Sequence, residues 1–124
     1  MKDIESREDI EHLMSDFYGA VMQDESIGFL FTEVAKINLE AHLPIICDFW
    51  ELVLLQGGNY KKDVMAIHLE LHEKSPLRKE HFDQWLHLFN QAIDTSFVGL
   101  TADKAKVRAQ SIAFMMQTKI YRPS

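Results

Sequence analysis

His68 and His72 stand one helical turn apart in the stretch VMAIHLELHEKSPLRKEHFDQWLHLF, residues 64–89, which also carries Trp85. Imidazoles are the side chains best suited to ligate a metal or move protons near neutral pH. On an apolar helix face, a ring whose nitrogens lack partners loses its water without compensation, so something should sit opposite His68. An i, i+4 histidine pair is one form of metal clamp. Here the pair reads HLELH, without the general-base placement of HExxH, and neither a cysteine nor a third ligand clusters with it. Both facts argue against zinc. A second set lies upstream: His42, Ile46 and Trp50 follow at four-residue steps and put a polar tip, an apolar spacer and a large aromatic in a row on one helix face.

The elements that must carry these residues read as helices. Ser6 with Asp9 marks a helix start, and behind it Ile10, Leu13, Met14, Phe17, Val21 and Met22 form one apolar stripe, with Tyr18 on its flank, ending near Asp24. The segment ESIGFLFTEV is too apolar for a surface loop, and Gly28 with Phe29 and Phe31 predicts a tight corner whose rings turn inward. Asn38 caps a second helix in which His42, Ile46, Phe49, Trp50 and Val53 share a face. Pro44 predicts a kink unless that helix starts around Leu43. Gly57 and Gly58 stop it, GGNYKKD is a polar loop, and Asp63 caps a short helix bearing His68. Ser75 and Pro76 open the next helix, through Phe82, Trp85, Leu86, Phe89 and Ile93 to about Phe97. Gly99 ends it. Thr101 caps the last helix, with Ala105, Ala109, Ile112, Ala113 and Met116 repeating in threes and fours. With no strand-like alternation or internal repeat, the chain reads as all-α, with five or six helices.

The totals bound the function. A chain of 124 residues fits one domain, 1–124, with room for a real core. A hydrophobic content of 47%, with six methionines and eight phenylalanines, gives a soft aromatic interior able to fit around a large flat ligand. The net charge of −6 supplies no basic footprint, so neither nucleic acid nor an anionic membrane surface is an expected partner. MKDIESREDI alternates charges and reads as neither a secretion signal nor a transit peptide. The longest apolar stretch, LPIICDFWELVLL, is interrupted by Asp48 and Glu51 and too short for a bilayer. Lone Cys47 fits a reducing compartment. A cytoplasmic monomer is the expectation.

An iron porphyrin needs one axial ligand on one side, room for a gaseous ligand on the other, and apolar walls. Two helices with facing histidines in an aromatic core meet that requirement. Spacing alone leaves each histidine equally readable as a satisfied core or boundary residue.

The order Phe17-Tyr18 on helix one, His42 with Phe49-Trp50 on helix two, His68 on a short helix, then HFDQWLHLF from His81, resembles a group III truncated haemoglobin. The closing AKVRAQSIAFMMQTKIY looks like that family's last helix, so the likeness covers nearly the whole chain. Glycine-pair motifs typical of groups I and II are not evident beyond Gly57-Gly58, and His42 favours group III over group II.

The resemblance implies a shortened globin, in which two antiparallel helix pairs stack as a two-over-two helical sandwich, with haem b (iron protoporphyrin IX) as cofactor. His68 would be the proximal iron ligand, its other ring nitrogen donating to a carbonyl or nearby acceptor. Tyr18, His42 and Trp85 would line the distal side, with Ile46 shaping the space between them. Phe31, Phe49, Trp50, Phe82 and Phe89 would be pocket wall or general core. Read without the family, Tyr18 and Trp85 are ordinary core aromatics whose polar atoms meet carbonyls. Tyr60, Lys61, Lys62 and Arg78 lie near the expected propionate rim, and each reads equally as a solvated surface group.

The implied function is binding of oxygen, nitric oxide or other small diatomic ligands. Oxygen on ferrous haem draws electron density outward, and a hydrogen bond involving a charged partner contributes about 1.5–3 kcal/mol, where about 1.4 kcal/mol is tenfold in affinity. Two donors aimed there suit holding oxygen, reacting it with nitric oxide, or activating peroxide. The enzymatic alternative is a nitric oxide dioxygenase or peroxidase-like catalyst. Its electrons must come from an external reductase, since these residues include no flavin or nicotinamide module. His42 would serve as a gate or as a direct iron ligand. An alternative of another class is a haem-free helical module that binds a partner through an aromatic groove.

Overall fold

In the computed structural model, residues 1–34, 38–55 and 78–121 are described, the side chains of 33, 34, 39 and 118–121 excepted. Four α-helices lie within them: α1 (Arg7–Gln23), α2 (Leu39–Leu55), α3 (Lys79–Ser96) and α4 (Leu100–Tyr121), with a π-helical turn at Leu30–Val34. The short helix expected around His68, the loop GGNYKKD and the Ser75-Pro76 cap fall outside the described residues.

The helix starts follow local chemistry. The Ser6 side chain accepts from the Asp9 N–H at 3.3 Å, and Asn38 Oδ1 accepts from the Glu40 N–H at 3.1 Å, each satisfying a donor that the first turn leaves open. α2 runs from Leu39 with Pro44 inside it. Two expected starts differ. Arg78 is extended, so α3 begins at Lys79, and the Arg78 N–H donates to His81 Nδ1 at 3.0 Å. The last helix begins at Leu100, and its cap comes from the other end of the chain. Asp3 Oδ2 and Oδ1 accept from the Thr101 and Ala102 N–H groups, both at 2.8 Å. A carboxylate at a helix N-terminus meets both open donors and the positive end of the dipole.

Gly99 makes this approach feasible. Its φ is +142°, and a Cβ built there would lie 2.5 Å from Asp3 Cγ. Gly28 is required for a different reason, since a Cβ would come within 2.9 Å of the Met22 carbonyl oxygen. The chain therefore turns tightly against the end of α1, and Phe31 becomes buried. Phe29, expected to face inward with it, is 39% exposed, because residues two apart on a helical turn do not share one face.

α1 packs on α2, α3 packs on α4, and the two layers meet where α1 lies on α3 and α2 reaches α4, a two-over-two arrangement. The apolar stripe of α1 forms the centre, with Ile10, Leu13, Met14, Phe17 and Val21 at 0–1% exposure. The small residues Ala102, Ala105, Ala109 and Ala113 give α4 a buried stripe toward the core. At the rim, Arg7 binds Asp48 at 2.6 Å and Glu51 at 2.9 Å, tying the start of α1 to α2. No described helix is long and apolar enough to cross a membrane.

Candidate functional site

Seen from the residues outward, the site is an aromatic cluster at the junction of α1, α2 and α3. Phe17 is its hub. Its ring meets Tyr18 at 4.9 Å, Phe89 at 5.1 Å and Trp85 at 5.6 Å between centroids, all edge-to-face. This is the geometry the ring quadrupoles favour. Trp85 lies almost parallel to Phe89 at 5.7 Å, and Trp50 stacks on Phe89 at 5.0 Å. The helical period makes the hub. Phe82, Trp85 and Phe89 step along one stripe of α3, and Phe17 projects from α1 against it.

Tyr18 is 4% exposed and is ringed by Phe17, Phe31 and His42. Among the described residues no group hydrogen-bonds its hydroxyl. Burial pushes the phenol above its usual range, and neighbouring Cys47 adds to the effect, so Tyr18 is a neutral O–H donor throughout the physiological range. Cys47 is itself buried, and burial first of all pushes its thiol up to about 11. His42 is half-buried early in α2, with its ring edge-on to Tyr18. Ile46, one turn further, is 5% exposed.

Trp85 is half-buried on α3, and no described group accepts from its indole N–H. Phe82 is buried one turn before it. Phe49 is half-buried and meets Trp50 edge-on at 5.3 Å; Trp50 is 3% exposed and sits in the core. The structure thus brings Tyr18, Phe31 and His42 into one group and joins Trp85 to it through Phe17. His68 and His72 lie outside the described residues, as do Tyr60, Lys61 and Lys62. Arg78 is exposed at the start of α3.

Two contributors carry little signal in the sequence. Phe17 reads as an apolar residue of the α1 stripe and as the neighbour of Tyr18 in the family pattern, and neither marks it as the hub. Asp24 reads only as a helix end, yet Oδ1 accepts from the Ser26 and Ile27 N–H groups and the Ser26 hydroxyl, while Oδ2 accepts from Gln84 Nε2 at 2.8 Å.

The all-helical two-layer fold, with an aromatic cluster where the layers meet, is that of the truncated globins. No protein-family model matches the chain. A curated protein described as Group 3 truncated hemoglobin ctb, from Campylobacter jejuni subsp. jejuni, is 30% identical over 120 residues, which span 94% of this chain and 92% of that one. The crystal structure of group III truncated hemoglobin from Campylobacter jejuni superposes with a TM-score of 0.86 at 28% identity, covering 98% of this chain and 97% of that one. The chain belongs to the group III truncated haemoglobins.

Proposed function

We propose that this chain, acting as one unit, binds haem b through His68 and holds a small diatomic gas, oxygen or nitric oxide, on the side lined by Tyr18, His42 and Trp85. Family membership supports the cofactor. One observation supports the distal assignment. Tyr18 and Trp85 both contact Phe17, and neither an acceptor for the phenol O–H nor one for the indole N–H is found among the described residues. The polar tips of packed Tyr and Trp rings usually meet a partner, so two donors without a described acceptor at one hub fit a site whose partner is a ligand. The residues present therefore suit a porphyrin with a gas site: polar donors on one side, and apolar walls from Phe31, Ile46 and Phe82.

When bound, haem supplies an iron whose open position takes the gas. The protein supplies the rest. Tyr18 stays protonated because of its burial and so keeps a hydrogen on its oxygen to donate. The Trp85 indole donates and never accepts. A pocket with such donors favours ligands that carry partial negative charge. His42, near the start of α2, stands edge-on to the Tyr18 ring and orients it.

The reading is tested by the absorption spectrum of the reduced protein with and without carbon monoxide, in the wild type and in His68→Gly. A strong band near the violet that shifts with carbon monoxide and is restored to His68→Gly by free imidazole is expected. Purified protein without that band after addition of haemin would sink the proposal and favour the haem-free module. Consumption of nitric oxide by the oxygenated protein with a reductase present would add the dioxygenase reaction.

A further inference from the structure

Two contacts join α1 and its following turn to α3. One is apolar, Phe17 against Trp85, with ring planes at 80°. The other is polar, Gln84 Nε2 donating to Asp24 Oδ2 at 2.8 Å. The contacts of Trp85 with Phe17 and Phe89 are apolar ring contacts, which fix position along the ring planes less strictly than a hydrogen bond does. A short hydrogen bond to a carboxylate is directional and stronger than one between neutral groups. Gln84 immediately precedes Trp85, so holding it sets both the rotation of α3 about its axis and its height against α1.

Asp24 is built to act as the anchor. It follows α1, its backbone N–H donates to the Val21 carbonyl, and its carbonyl accepts from the Gly28 N–H at 2.9 Å. Three donors from residues 26 and 27 occupy Oδ1, and Oδ2 is directed to Gln84. One side chain therefore fixes the turn that leads to Phe31 and the helix that carries Trp85. Both residues border the proposed distal pocket.

We infer that the Asp24–Gln84 hydrogen bond is a clamp that positions Trp85 in the gas-binding pocket, with Asp24 and Gln84 as positioning residues; the pocket itself rests on the function proposed above. Gln84→Leu removes the clamp at similar volume. Asp24→Asn combined with Gln84→Glu exchanges donor and acceptor, since the new amide keeps an oxygen for the turn and directs its NH2 at the new carboxylate.

The first readout is the Trp85 indole N–H resonance, identified by its loss in Trp85→Phe and recorded in protein as purified and after reduction under carbon monoxide. Gln84→Leu should displace it, and the exchanged pair should return it. The second is oxygen dissociation, which Gln84→Leu should speed about three- to tenfold in the wild type and leave unchanged in Trp85→Phe. An indole resonance that Gln84→Leu does not move, or that the exchanged pair leaves displaced, overturns the clamp. An equal rate increase in the Trp85→Phe background also overturns it, because the effect would not pass through Trp85. If the resonance behaves as expected while neither Gln84→Leu nor Trp85→Phe alters oxygen release, the clamp stands and the gas-binding role of Trp85 fails.

Discussion

The ring of Tyr18 stands edge-on to the imidazole of His42, with centroids 5.2 Å apart and planes at 85°. α1 supplies the phenol and α2 the imidazole, so the packing of these two helices creates the pairing. Tyr18→Phe keeps the ring and its edge contacts while deleting the O–H. Oxygen dissociation should rise about tenfold, equivalent to losing about 1.4 kcal/mol, and Trp85→Phe should act in the same direction. Stopped-flow displacement of oxygen by carbon monoxide measures both. Unchanged rates in both variants would remove these donors from ligand binding.

Phe17 is 1% exposed and touches Tyr18, Trp85 and Phe89. Phe17→Ala should cost about 3–5 kcal/mol of stability, the range for emptying a buried aromatic site. Urea unfolding gives the value. A loss within about 0.5 kcal/mol, typical of a surface position, would show that the rings close without their hub.

Gly99→Ala should destabilise the fold by about 1–3 kcal/mol, since the added Cβ strains a positive-φ backbone and drives the Asp3 carboxylate from the start of α4. Asp3→Ala removes only the cap and should cost about 1 kcal/mol. The two losses share one contact, so the double variant should fall short of their sum. Full additivity in thermal unfolding would separate Gly99 from the Asp3 cap.

Acid should weaken the fold through Asp3 and Asp24. Burial alone would raise both carboxyls. The Thr101 and Ala102 N–H groups at Asp3, and Ser26, Gln84 and Ile27 at Asp24, outweigh it and hold both below the ordinary carboxylate value. The unfolded chain then takes up protons at a higher pH than the folded one. Their stabilising contribution is present above the unfolded value of about 3.9 and is lost as pH falls through the lower folded values. Midpoints of unfolding measured from neutral pH downward should drop in that window, and Asp3→Asn should flatten the drop. An equal drop in wild type and variant would assign acid sensitivity to other groups.

The helices, their caps at Ser6 and Asn38, and the apolar stripe of α1 were legible in the sequence because each is a local event, repeating at three and four residues or closing within one turn. The order of Tyr18, His42, His68 and Trp85 likewise pointed to the family without coordinates. Phe29, which the sequence suggests faces inward, is turned outward in the structure, since composition gives the character of a turn and not its phase. The Ser75-Pro76 pair suggested a helix start, whereas α3 begins at Lys79 with His81 closing its first turn.

Local periodicity in the amino-acid order was thus enough to determine an all-helical chain with an aromatic interior, and the order of a few named residues carried the family likeness. Tertiary structure alone decided that Asp3 caps α4, that Gln84 reaches Asp24, and that Phe17 links Tyr18 to Trp85. The physical reason is separation along the chain. A contact between residues many turns apart leaves no period in the sequence, and its partners meet only after the helices have packed.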